Sequence, residues 1–189
     1  MLASFTLPGA VETFNDDAEG VRLVGQSASA ANSDAGFFGP ISLFHREWNA
    51  YLDASIQVTN TTNSRYQIGF TTDNTLDGVD TLCNGDSCAT VVIRPADATY
   101  QYIVNDGDAG QDITNSGISE STDVVRIQVR FDSANNRVGF TINDNPETFI
   151  SAEIPATATD LFPVVLLENS VASQRQFIEI YYVFTSETK

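Results

Sequence analysis

From Val124 to Phe184 the chain alternates apolar and polar side chains in short runs cut by Asn, Asp and Pro. Val124–Asp132 reads VVRIQVRFD, and Ser133–Asn136 makes a turn. Arg137–Ile142 reads RVGFTI, and Asn143–Pro146 turns the chain again. Glu147–Ile150, Leu161–Leu167 and a long closing run, Arg175–Phe184, follow. A period of two puts every second side chain on the same face, so each run suits an antiparallel strand with one buried side. A helix needs a period of 3.6, and no such pattern is found here.

The upstream chain reads in the same way. Residues 1–19 carry scattered apolar residues and are expected as a loose arm or edge strand. Residues 20–189 are expected as a single domain. Gly20–Gly25 is a short strand, 26–36 is a loop, and Phe37–Phe44 is an apolar run that Pro40 confines to an edge or a strand start. In Trp48–Thr59, Trp48, Ala50, Leu52, Ala54, Ile56 and Val58 share one face, which predicts a core position for Trp48. Tyr51 shares the opposite face with Asp53, Ser55 and Gln57; Tyr51 and Tyr66 are expected to point outward. Arg65–Thr71 returns as the second half of a hairpin. Asp73–Cys88 is a long polar loop, Thr90–Arg94 and Thr99–Val104 pair across a turn, and Asn105–Ser121 is a second long loop. A dozen short strands without helices predict an all-β, two-sheet antiparallel sandwich or jelly roll.

With 189 residues, 42% of them hydrophobic, the chain can build its own core. A chain of this size buries about 70% of its unfolded surface. Its formal net charge is −16, with 25 acidic residues against 9 Lys and Arg. That charge repels phosphate backbones and anionic bilayers, so neither nucleic acid nor membrane is an expected partner. The first residues have no basic start followed by an apolar run, so no signal peptide is expected. Cys83 and Cys88, with four residues between them, can close a small disulfide at a hairpin tip, stay as thiols in a reducing compartment, or, least simply, contribute to a metal site.

Three segments carry a resemblance. Val124–Asp132 with Arg137–Asp144 is similar to paired strands ending in an Asn-Gly-type turn, although here the turn is Asn-Asp-Asn-Pro. Leu161–Leu166 and Phe177–Val183 are similar to two further strands of the same group. Over residues 35–184 the chain resembles the concanavalin-A-like lectin/glucanase superfamily, and within it the laminin-G-like domains of virus and phage structural proteins. Phe37–Ile41 with Phe44–Asn49 is similar to a segment of phage particle proteins. The resemblance implies a concanavalin-A-like jelly roll. This fold hosts lectins, hydrolases and scaffolds, so it does not fix function.

A hydrolase on this fold needs two carboxylates on one strand. The Glu-x-Asp-x-Glu run of the group's glucanases is absent, and Glu179 is the only acid of the last strand, so no enzyme is expected. The sole histidine, His45, reads as a turn residue bonded to Glu47 or backbone. Two loops could hold calcium through hard oxygen ligands. These are Asp73–Asp80 and, preferred, the one holding Asp106, Asp108 and Asp112; no other cofactor is expected. A sugar would stack on an exposed aromatic beside Asn and Asp, which points to Tyr100, Tyr102, Asn105 and Asp106.

Three function classes follow. The first is a non-enzymatic virion protein, a capsid decoration or cement protein, assembled in the host cytoplasm and exposed on the released particle. Its arm (Leu2, Phe5, Leu7) and the Phe37–Phe38 region would dock on a major capsid or other virion protein or on sister copies, as a homo-oligomer such as a trimer. The second is a glycan-binding module of a phage tail or fibre that reads a cell-surface glycan. The third, disfavoured by the missing carboxylate pair, is a glycosidase.

Overall fold

A computed structural model describes residues 3–5, 11–17, 20–26, 33–38, 44–72, 83, 85–95, 97–108, 110–169 and 177–186. For the segments before 44 and after 168 it describes the strands and their pairing. The described strands are β1 (Ala3–Phe5), β2 (Val11–Asp17), β3 (Gly20–Gln26), β4 (Ser33–Phe38), β5 (Phe44–His45), β6 (Tyr51–Val58), β7 (Ser64–Thr71) and β8 (Ser87–Ile93). They continue with β9 (Thr99–Asp106), β10 (Asp112–Ser119), β11 (Val125–Asp132), β12 (Arg137–Ile142), β13 (Thr148–Ile150), β14 (Asp160–Asn169) and β15 (Phe177–Ser186). One antiparallel sheet has eight strands, β1-β4-β14-β7-β8-β9-β10 with β5 on β14. The other has seven, in the order β13-β12-β11-β6-β15-β3-β2. The N-terminal segment supplies an outermost strand to each sheet, β1 to one and β2 to the other.

The alternation decides which side faces in. In β11 the apolar phase Val125, Ile127, Val129 and Phe131 is buried, and the polar phase is half-buried or exposed. Ala50, Leu52, Ala54, Ile56 and Val58 are buried from the same sheet, and Tyr66, Ile68, Phe70, Val91, Ile93 and Val165 from the other. Phe70 bridges the layers, with its ring centroid 5.6 Å from Phe44 and 5.7 Å from Phe131. A fully buried aromatic of this kind contributes roughly 1.5–3 kcal/mol through lost water contact.

The eight-stranded sheet is covered on its outer side too. Cys83, Cys88, Val92, Ile103, Val164 and Leu166 form a second buried cluster there. Cys83 and Cys88 are joined by a disulfide with their Cα atoms 5.8 Å apart. The buried Gln67 donates from Nε2 to Cys83 Sγ (3.0 Å) and to Thr90 Oγ1 (3.2 Å). This second layer explains why all of β8 is buried, on both phases of its alternation. Gly69 lets β8 approach β7, because a Cβ there would collide with the Ala89 carbonyl.

Four expectations need correction. The 26–36 stretch is not all loop, because Ser33–Phe38 forms β4, paired with β1 and β14. Asn105–Ser121 is not one loop, because Asp112–Ser119 forms β10 on the sheet edge and pairs with β9. Trp48 is not a core strand residue. It closes a 3-10 turn, Arg46–Trp48, is only partly buried, and stacks on His45 at 4.0 Å. The left-handed Asn49 (φ 51°) breaks the alternation before β6, which removes Trp48 from the Ala50–Val58 face. Tyr66 is fully buried rather than outward, because its phase of β7 faces the opposite sheet.

Candidate functional site

The expected glycan residues do not form an open site. Tyr100 and Tyr102 are 1% and 0% exposed, because their phase of β9 faces the core. Tyr102 stacks on Phe140 of the facing sheet at 4.8 Å. Burial pushes the Tyr100 phenol up to about 12. Asn105 is fully buried and builds the following turn. Its Nδ2 donates to the Cys83 carbonyl (2.6 Å) and the Asp108 carbonyl (3.3 Å), and its Oδ1 accepts from Gly107 N (2.8 Å). Asp106 remains exposed at the tip.

The acidic cluster is related to the expected set but differs in one member. Asp106, Asp108 and Glu153 bring carboxylate oxygens within 4.8 Å of one another. Asp112 lies apart from this group at the start of β10, where it accepts from Thr114 Oγ1 (3.1 Å). Glu153 comes from a distant loop, so spacing along the chain does not reveal it. Hard oxygen ligands of this kind are suited to a divalent or alkali cation. The alternative acidic loop, 73–80, lies outside the described residues, as do Leu2 and Leu7. Phe5 is placed on β1 and Phe37 and Phe38 on β4, with Ser4 opposite Phe37 and Ala3 opposite Phe38. His45 reaches past its neighbour Glu47 (3.7 Å) to Asp160 on β14, with Nε2 2.8 Å from Oδ1.

The most highly organised polar surface lies on the outward face of the seven-stranded sheet. Antiparallel register puts Gln128 opposite Asp53, Arg126 opposite Ser55 and Arg130 opposite Tyr51. Asp53, only 6% exposed, is the hub. It accepts from Arg126 through both Nε (2.9 Å) and Nη2, from the Tyr51 hydroxyl (3.0 Å) and from Gln128 Nε2 (3.0 Å). Gln128 Nε2 also donates to the Tyr51 oxygen (2.6 Å). Partial burial, and then the Asp53 carboxylate, push the Tyr51 phenol up, so the hydroxyl keeps its proton. A carboxylate held from three sides by charge-assisted bonds fixes the rotamers of its partners.

The face continues over β12 and β13. Arg130 makes a two-bond fork with Glu147, Nε to Oε1 and Nη2 to Oε2 (2.8 Å). The Glu147 end of the fork occupies the space over Gly139, where a Cβ would collide with Glu147 Oε1. Asn135 and then Arg137 (Nε–Oδ2 2.8 Å) hold the Asp132 carboxyl below its ordinary value. The Arg137 guanidinium sits 3.6 Å from the centroid of Phe149, one of the exposed large apolar side chains. Sequence reasoning passed over this face. The available signal was the polar phase of the strongest alternation in the chain, Arg126, Gln128, Arg130 and Asp132, which must share one side of β11.

No family model and no curated protein matches the chain. Solved structures do. The carbohydrate recognition domain of Emp46p, in its potassium-bound form, superposes with a TM-score of 0.65 at 9% identity, over 96% of this chain and 90% of that one. A Bacillus licheniformis β-glucanase gives 0.62 at 12% identity, over 96% and 83%. A family 7 alginate lyase gives 0.58 at 9% identity, over 97% and 83%. Carbohydrate recognition domains and enzymes therefore share this architecture, and identities this low bear on fold alone. They lend no support to a virion or capsid role. The two antiparallel sheets, their order and these superpositions make the molecule a concanavalin-A-like jelly-roll sandwich.

Proposed function

We propose that the protein is a glycan-binding module whose ligand lies on the outward face of the seven-stranded sheet. The carrying observation is the Asp53 hub, in which one nearly buried carboxylate orders Tyr51, Arg126 and Gln128. Sugar hydroxyls are recognised by fixed donors and acceptors beside an apolar ring face, and this surface offers both within one sheet. The similar architecture of carbohydrate recognition domains supports the reading. Display of such a module on a released particle is the setting we propose from the sequence alone.

The test is a glycan array on the intact protein, followed by titration calorimetry of the best ligand. Both are run with calcium and with chelator, since Asp106, Asp108 and Glu153 are where a hard cation would be held. Binding that disappears in Asp53→Ala and persists in a Tyr102→Phe control supports the reading; a blank array refutes it. A turnover assay on a polysaccharide panel separates a binding module from an enzyme on the same fold. Of the three carboxylates that meet arginines on this face, Asp53 and Glu147 are each engaged on both oxygens by an arginine.

A further inference from the structure

The chain has eight arginines, and three of them, Arg126, Arg130 and Arg137, fall within twelve residues and reach the same face. Each is matched there by one carboxylate, Asp53, Glu147 or Asp132 respectively. The face is therefore locally neutral, whereas the whole chain is at −16. It is the one described surface where guanidinium groups gather. Tyr51, Arg130, Gly139 and Phe149 also form a single row, since Tyr51 is opposite Arg130, Arg130 opposite Gly139, and Gly139 opposite Phe149. Three strand spacings separate the two aromatics by about 14 Å, the length of a short oligosaccharide.

The donors in this row exceed what its own carboxylates consume. Glu147 takes Nε and Nη2 of Arg130, and Asp132 takes Nε of Arg137. A guanidinium carries five N–H donors and no acceptor, so each head keeps an edge outside its ion pair. Both heads remain accessible, at 39% and 34% exposure, and both guanidinium carbons lie within 5.3 Å of the Phe149 ring centroid. A neutral sugar offers hydroxyls that need donors and acceptors in balance. A surface with surplus planar donors is complementary to a carboxylate or sulfate.

Resting on the glycan reading above, we propose that this row binds an anionic saccharide. A carboxylate or sulfate of the sugar would be met by Arg130 and Arg137 beside Phe149.

Titration calorimetry on the intact protein tests this with three probes of matched length: an oligogalacturonate, a sulfated galactan oligosaccharide that carries no carboxylate, and a neutral β-glucan oligosaccharide. At least one anionic probe is expected to bind on the order of tenfold more tightly than the neutral one, as one added charge-assisted hydrogen bond would produce. Which of the two binds separates a uronate from a sulfate reader. The double variant Arg130→Gln/Arg137→Gln, checked for folding by its melting curve, is expected to lose the preference. Arg130→Lys, which keeps the charge without the fork, is expected to retain part of it. Neutral binding as tight as anionic binding overturns the inference and leaves the glycan module standing, as does a preference that survives in the double variant. Failure of all three probes together with a blank glycan array sinks the module reading as well.

Discussion

Replacing Glu120 by Gln isolates a single half-buried charge and asks how it sets stability against pH. Glu120 follows β10, with Oε1 buried and without a hydrogen-bond partner. Burial, and then the charge of Asp97, push its carboxyl up from 4.5 to about 7; the backbone N–H of Arg94 acts in the opposite direction. The other groups around it are Tyr66 and Tyr100, both raised to about 12 by burial, and neither carries a positive charge. The folded state thus holds the proton more tightly than the unfolded chain. The protonated group stabilises the fold fully below about pH 4.5, and that contribution is lost as the pH rises through 7. The difference in affinity for the proton sets a ceiling of roughly 3 kcal/mol, and partial solvent access reduces it to about 1–2 kcal/mol. Urea unfolding of wild type and Glu120→Gln at pH 5, 6, 7 and 8 reads this directly. The amide variant is expected to gain about 1–2 kcal/mol on wild type between pH 5 and pH 8. General repulsion from the −16 charge grows with pH in both proteins and cancels in the comparison. A gap that stays constant across the series would refute the reasoning.

Gly139→Ala pushes the Glu147 carboxylate out of its fork with Arg130 and should cost no more than about 1 kcal/mol, the scale of a part-exposed ion pair, while weakening ligand binding; denaturant unfolding and calorimetry read the two effects. Asp53→Ala strips Arg126, Tyr51 and Gln128 of their shared acceptor, for an expected loss of about 1–3 kcal/mol in denaturant unfolding. Reducing Cys83–Cys88 releases a short loop and should cost about 2 kcal/mol, read as a lower urea midpoint with dithiothreitol. Tyr102→Ala empties a core position against Phe140 and should cost about 3–5 kcal/mol, whereas an exposed sugar-stacking ring would cost almost nothing.

How far the sequence reaches depends on what each strand has on its two sides. β11 and β12 could be read directly because one phase meets the core and the other is largely open, so hydrophobicity and burial coincide. In β9 that link fails. Tyr100 and Tyr102 face the core, while Ile103 and Asn105 lie under the cover that includes Cys83 and Gln101 is buried in the same phase, so both phases are buried and alternation cannot say which side binds anything. β10 escapes for the opposite reason. Its sequence, DITNSGIS, is that of a loop, and on a sheet edge its backbone needs a partner on one side only. Asn115 and Ser116 bond locally to the N–H groups of Gly117 and Ile118, as they would in a turn.

The candidate face shows what limits such a reading. Its polar residues stand in plain view in the VRIQVRFD run, but the acceptor that organises them does not. Asp53 is 73 residues from Arg126 and 75 from Gln128. Only the β6–β11 register makes them neighbours, and a slip of one residue would turn Asp53 into the core. The register is held by the apolar phase, Leu52 opposite Val129 and Ala54 opposite Ile127, all fully buried. Core packing on one side of the sheet therefore fixes the alignment of charges on the other. On that basis, shortening Val129 to Ala should reduce ligand binding as well as stability, although Val129 touches no ligand. Binding unchanged in a folded Val129→Ala protein would show that the Asp53 hub holds its geometry without the core beneath it.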